Sequence, residues 1–144
     1  MMGLADQGAS QFPVRSTGRP VVVIEDEAIV LAGYQMLFES WGYHVIAAQS
    51  VDEAIDLLTE ETAIPGFILA DFRLREGQTG TEAIATLRRT FSNTIPGVVV
   101  TGDTTITADS LRLAKEAGMQ VLHKPVNGRQ LQEILGRVLG APAD

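Results

Sequence analysis

The 144 residues suit one domain with a single hydrophobic core, and 45% apolar with 20% charged residues is ordinary globular composition. A net charge of −7 argues against a broad nucleic-acid surface, which needs clustered Lys and Arg, and the lack of cysteine excludes disulfides and thiol catalysis. No run approaches the roughly 18–20 apolar residues of a membrane helix, and no basic flank leads into an apolar stretch as in a secretion signal, so a cytoplasmic domain is the expectation.

Residues 1–18 hold three Gly, one Pro and no sustained apolar period, which reads as a flexible tail or linker. From Pro20 onward, short β-branched runs alternate with segments of helical period. VVVI (21–24), YHVIAA (43–48), FILA (67–70), VVV (98–100) and MQVLH (119–123) predict strands. Helices are predicted near 27–40, 51–60, 80–91, 104–117 and 127–139. Ser50 with Glu53, and Asn127 with Gln130, are capping-box signatures, while Gly42, Gly118 and Gly140 stand where helices end on a left-handed residue. Strands separated by helices imply right-handed crossovers and a parallel sheet covered on both faces. The predicted domain is residues 19–140, with a short tail at 141–144.

Ligands of open parallel α/β sheets bind beyond the carboxyl ends of the strands. There the first strand offers Glu25, Asp26 and Glu27, the third Asp71, the fourth Thr101, and the fifth Lys124 followed by Pro125. Carboxylates about 4 Å apart repel by roughly 4 kcal/mol at an effective dielectric near 20, so such a rim needs a cation or shared protons. Oxygen donors without His or Cys select a hard ion, and Mg²⁺ is the natural candidate. A metal, an ammonium and a hydroxyl around one carboxylate make a seat for a phosphoryl group, with Asp71 as nucleophile. Each residue also has a bland explanation. Asp71 can be a turn residue, Glu25–Glu27 an acidic helix start, Thr101 a β-former and Lys124 a solvated charge. His44 and His123 are expected to serve packing or surface roles rather than carry phosphate.

In order, Glu25-Asp26, Asp71, Thr101 and Lys124-Pro125 resemble the receiver domain of two-component response regulators, over about residues 20–140. The resemblance implies a (βα)₅ flavodoxin-like sandwich, an α/β fold with strand order 2-1-3-4-5. It implies that Asp71 accepts phosphoryl from phosphohistidine. Mg²⁺ would lie on Asp26, Asp71 and the backbone carbonyl of Arg73, with Glu25 acting through a metal-bound water. Lys124 would neutralise the phosphoryl group, Thr101 would hydrogen-bond it, and a cis Lys124–Pro125 bond would aim the amine inward.

Some features depart from that family. The loop FRLREGQTG after Asp71 lacks the usual proline, reads as basic and extended, and resembles receivers at the C-terminus of hybrid sensor histidine kinases. Val121 replaces the usual aromatic residue three before Lys124, which argues against a swinging-ring switch. Arg73 and Asp103 are expected to pair across the pocket mouth and slow hydrolysis. The first helix carries no charge over 28–38; with Ile29, Ala32, Gly33, Met36 and Leu37 assigned to the core, Val30, Leu31, Tyr34 and Phe38 remain as a docking patch. The resemblance makes a histidine kinase or histidine phosphotransfer protein the partner there; the N-terminal tail or a second copy of the chain are competing occupants.

A haloacid-dehalogenase-like phosphohydrolase is the enzymatic alternative, disfavoured because Arg73 stands where its second Asp is required. A Rossmann nucleotide binder lacks its GxGxxG, and a degenerate receiver would lack a site residue. No output module is recognisable after residue 140, so a stand-alone receiver and a piece of a hybrid kinase are both open, the linker-like start favouring the second.

Overall fold

A computed structural model describes residues 19–102 and 108–140. Its strands are β1 (Val21–Ile24), β2 (Val45–Ala48), β3 (Phe67–Asp71), β4 (Gly97–Thr101) and β5 (Met119–His123). The helices are α1 (Ala28–Ser40), α2 (Val51–Glu61), α3 (Gly80–Thr90), α4 (Ala108–Glu116) and α5 (Gly128–Leu139). All strand pairs are parallel and the order is β2-β1-β3-β4-β5, the predicted 2-1-3-4-5.

Alternation along the strands divides the core into two layers. Val22, Ile24, Ile68, Ala70 and Val99 pack with Ala54, Leu58, Ala83, Ile84, Leu87 and Ala114 of α2, α3 and α4. Val21, Val23, Phe67, Leu69, Val98 and Val100 pack with Leu31 and Phe38 of α1 and Leu131, Ile134, Leu135 and Leu139 of α5. The central strands are therefore buried on both faces, as their uninterrupted apolar runs require. Each fully buried aliphatic side chain contributes about 1.5–3 kcal/mol of transfer free energy.

Local chemistry sets the ends. Ser50 Oγ accepts from Glu53 N at 3.1 Å, and the Glu53 carboxylate accepts from Gln49 N, one residue before the cap. Asn127 Oδ1 accepts from Gln130 N at 3.2 Å. A reciprocal capping box is formed by Thr79 and Glu82, which starts α3. Gly42, Gly118 and Gly140 have φ of 93°, 76° and 81°, matching their predicted role.

Two expectations need correction. Helix α1 is rotated relative to its predicted phase: Leu31 and Phe38 are buried, whereas Ile29 is 88% exposed and Met36 71%. Tyr34, Phe38 and Trp41 form an aromatic ladder with centroid separations of 6.0 and 5.5 Å on the inner face. Large rings fill the space over the sheet better than Ala32 and Gly33 would, which decides the phase. The docking patch of Val30, Leu31, Tyr34 and Phe38 is thus mostly the inward face.

The loop after β3 is also folded rather than extended. Leu74 is buried, Leu74 N donates to Gln78 O and Gly80 N to Phe72 O, both at 2.9 Å, and Glu76 and Gly77 adopt φ of 61° and 74°. Gly80 closes this turn against the backbone of Asp71; a Cβ there would lie 2.5 Å from the Asp71 carbonyl oxygen. Backbone cannot yield as a flexible side chain can. Gly80→Ala is expected to destabilise the fold by about 2–3 kcal/mol. Gly33→Ala, with nothing within 4 Å, should stabilise by about 0.5–1 kcal/mol. Denaturant unfolding of the two variants checks both signs.

The predicted tails at 1–18 and 141–144, Asp103 and the predicted start of α4 at 104–107 lie outside the described residues.

Candidate functional site

Parallel strands in register bring their carboxyl ends to one rim. Ile24 pairs with Ala70, Asp71 with Val100, and Thr101 with His123. Glu25 and Asp26 follow β1, Asp71 and Thr101 are the last residues of β3 and β4, and Lys124 follows β5. The Lys124–Pro125 bond is cis. Lys124 N donates to Thr101 O at 2.8 Å, which ties this turn to β4.

The acids gather tightly. One carboxylate oxygen from each of Glu25, Asp26 and Asp71 lies within 4.8 Å of the others. Lys124 Nζ is 2.9 Å from Asp71 Oδ1 and 4.0 Å from Glu25 Oε1. Glu25 is 1% exposed; its Oε2 accepts from Glu27 N at 3.0 Å, while Oε1 has no hydrogen-bond partner. A buried carboxyl oxygen left without a hydrogen-bond partner is costly and fits a place beside a cation shell. Asp26 keeps its backbone oxygen engaged by Gln49 Nε2 at 2.9 Å and Arg75 Nη2 at 3.0 Å. Thr101 is buried at the rim.

Burial pushes the Glu25 carboxyl up to about 7, against the Glu27 N–H, with further upward pressure from Asp71 and Asp26 and opposition from Lys124. Burial alone would lower Lys124, yet its hydrogen bond and attraction to Asp71, followed by Glu25, leave it raised. Tyr34 is raised by burial first, with Lys124 opposing and Glu25 and Asp71 adding to the shift, which puts this α1 side chain within electrostatic reach of the rim. Without metal, the folded state holds the Glu25 proton more tightly than the unfolded chain does. Stability contributed by that proton should therefore be present at acid pH and decline as pH rises from 4.5 towards 7. Glu25→Gln should flatten that decline in thermal unfolding across the same window.

Glu25, Asp26, Asp71, Thr101 and Lys124, all proposed from sequence, meet at this rim. For Arg73, ladder bonds flank it on both sides, Leu74 N to Gln78 O and Gly80 N to Phe72 O, and its guanidinium lies 5.8 Å from the Phe72 ring centroid. The proposed Arg73–Asp103 pair has one partner outside the described residues. His44 is on the surface, 2.7 Å from Glu61, and His123 is exposed on β5, so neither joins the rim. Sequence reasoning missed Arg75 and Gly80. Gly80 had a signal, a glycine directly after Thr79 in a Thr-x-x-Glu cap; Arg75 had none beyond its charge.

A five-stranded parallel sheet of this order, with an acid cluster and a lysine at its carboxyl rim, defines a class of signalling domain. The sequence pattern of the response regulator receiver domain matches residues 21–136, and the chain belongs to that family. Phyllosphere-induced regulator PhyR of Methylorubrum extorquens is 34% identical over 82 residues, 56% of this chain but only 30% of that relative's length. Among solved structures, a response regulator receiver domain protein from Clostridium thermocellum superposes with a TM-score of 0.72 at 22% identity, covering 84% of this chain and 94% of that one. Chemotaxis protein CheY4 of Vibrio cholerae gives 0.70 at 24% identity, covering 84% and 98%. At these identities the superpositions speak to the shared fold.

Proposed function

We propose that this receiver domain takes a phosphoryl group from a phosphohistidine onto Asp71. The donor's N–P bond breaks, a bond forms between phosphorus and an Asp71 carboxylate oxygen, and the imidazole leaves. The observation that carries the reading is the 2.9 Å contact of Lys124 with Asp71 inside a cluster of three acids. Lys124 is poised to balance charge on the incoming group, and Thr101, buried beside it, to donate a hydrogen bond. Glu25, Asp26, Asp71 and the Arg73 carbonyl are the groups that would hold Mg²⁺, whose charge offsets that of the carboxylates and phosphoryl oxygens.

Incubation with acetyl phosphate and MgCl₂ tests the reading. One alkali-labile phosphoryl group per chain is the expected result. Continuous donor hydrolysis with no labelled protein would instead support the phosphohydrolase alternative.

The donor's docking surface follows the corrected phase of α1. Ile29 and Met36, with Ala32 and Gly33 between them, form one exposed face that starts next to Glu25 and Asp26. Ile29→Asp should slow transfer from a phosphohistidine protein about tenfold while leaving acetyl phosphate labelling unchanged; competition assays with both donors would separate the two rates. No helix among the described residues is long and apolar enough to cross a membrane. We place the domain in the cytoplasm, receiving phosphoryl groups from a histidine kinase, with the hybrid-kinase context resting on the resemblance of the FRLREGQTG loop.

A further inference from the structure

Lys124 contacts Asp71 and Glu25. The cation assigned to Asp26 is a different one, Arg75, from the folded loop between β3 and α3. Its Nε is 3.7 Å from Asp26 Oδ2, and its Nη2 donates to the Asp26 carbonyl at 3.0 Å. We propose that Arg75 is a tethered counter-ion which a divalent cation must displace from Asp26, so that the guanidinium competes with the metal for that carboxylate. This inference rests on the reading of Asp26 as a metal-binding residue.

Two observations support it. First, Arg75 reaches Asp26 with its side chain 68% exposed, so little packing holds the guanidinium in place. An exposed ion pair of this kind is weak and exchangeable. Second, the guanidinium has somewhere to go. Beside it lies a cleft of about 440 Å³ between the loop and the start of α2, lined by Gln49, Asp52, Leu74, Glu76 and Gln78 together with Arg75 itself. Asp52 and Glu76 offer alternative anionic partners there. Arg75 therefore competes with the metal for one carboxylate and lowers affinity by its positive charge.

Calorimetric titration of the metal-free protein with MgCl₂ at fixed ionic strength tests this. Arg75→Ala and Arg75→Gln are both expected to bind Mg²⁺ about threefold to tenfold more tightly than wild type. Arg89→Ala removes the same charge from an exposed position on α3 and should leave the affinity unchanged. Equal or weaker binding by Arg75→Ala overturns the inference, as does a wild-type affinity in Arg75→Gln, which would make the effect steric. Absence of Mg²⁺ binding by wild type and both Arg75 variants would overturn the metal reading of the rim itself. That outcome is distinct from Mg²⁺ binding by wild type that the Arg75 changes leave unaltered.

Discussion

Asp71→Asn is expected to abolish phosphoryl uptake from acetyl phosphate, by at least about a hundredfold, while leaving the protein folded. An amide is nearly isosteric with the carboxylate but supplies no anionic oxygen to attack phosphorus. The effect on stability should be small, because two changes oppose each other. The variant loses the 2.9 Å contact with Lys124, yet it also relieves repulsion within a cluster whose carboxylate oxygens lie within 4.8 Å. A net change under about 1 kcal/mol is expected. Retardation of phosphorylated protein on a phosphate-affinity gel, read beside a denaturation curve, separates lost chemistry from a lost fold. Labelling of Asp71→Asn at the wild-type rate would sink the assignment of Asp71.

Lys124→Ala should be the next most damaging change. It removes the ammonium that faces both Asp71 and Glu25. Phosphoryl uptake should fall on the order of a hundredfold, the scale of losing one charged stabiliser from a transition state. A second signature concerns stability. The Lys124 pKa is raised in the fold, so its contribution is fully present below the ordinary lysine value of 10.5 and is lost only as pH rises through the folded value. At neutral pH the variant therefore lacks the whole contribution, and the remaining acids repel without compensation. Its metal-free form should melt lower at pH 7.5 than at pH 5.5 by a wider margin than wild type. Equal margins would mean that the amine does little for the acid cluster.

The inner strands were legible because they are buried on both faces: a run such as Phe67–Ala70 has no polar position to interrupt it, and turn chemistry brackets it. The rim was legible for a related reason. A carboxylate at the tip of an apolar strand is expensive unless something there uses it, which marked Asp71, while Glu25, Asp26, Thr101 and Lys124 followed from the binding of ligands beyond the carboxyl ends of such strands. The phase of α1 was not legible. Period analysis depends on contrast between faces, and residues 28–38 supply none, so the sheet's demand for bulky rings decided which side turned inward. The β3–α3 loop was hidden for another reason. Its turn uses a left-handed Glu76, a conformation that residue type does not announce. Arg75 reaches Asp26 only because that turn exists.

At the opposite end of the sheet, Arg88 gathers three backbone oxygens. Nε donates to Ile95 O, Nη1 to Ala117 O and Nη2 to Gly118 O. One side chain of α3 thereby fastens the segment leading into β4 to the turn leading into β5, and burial lowers its pKa without unseating it. The amino ends of β4 and β5 are thus clasped by one side chain, whereas their carboxyl ends, beside Asp71, are joined through backbone bonds, Phe72 N to Val100 O and Lys124 N to Thr101 O.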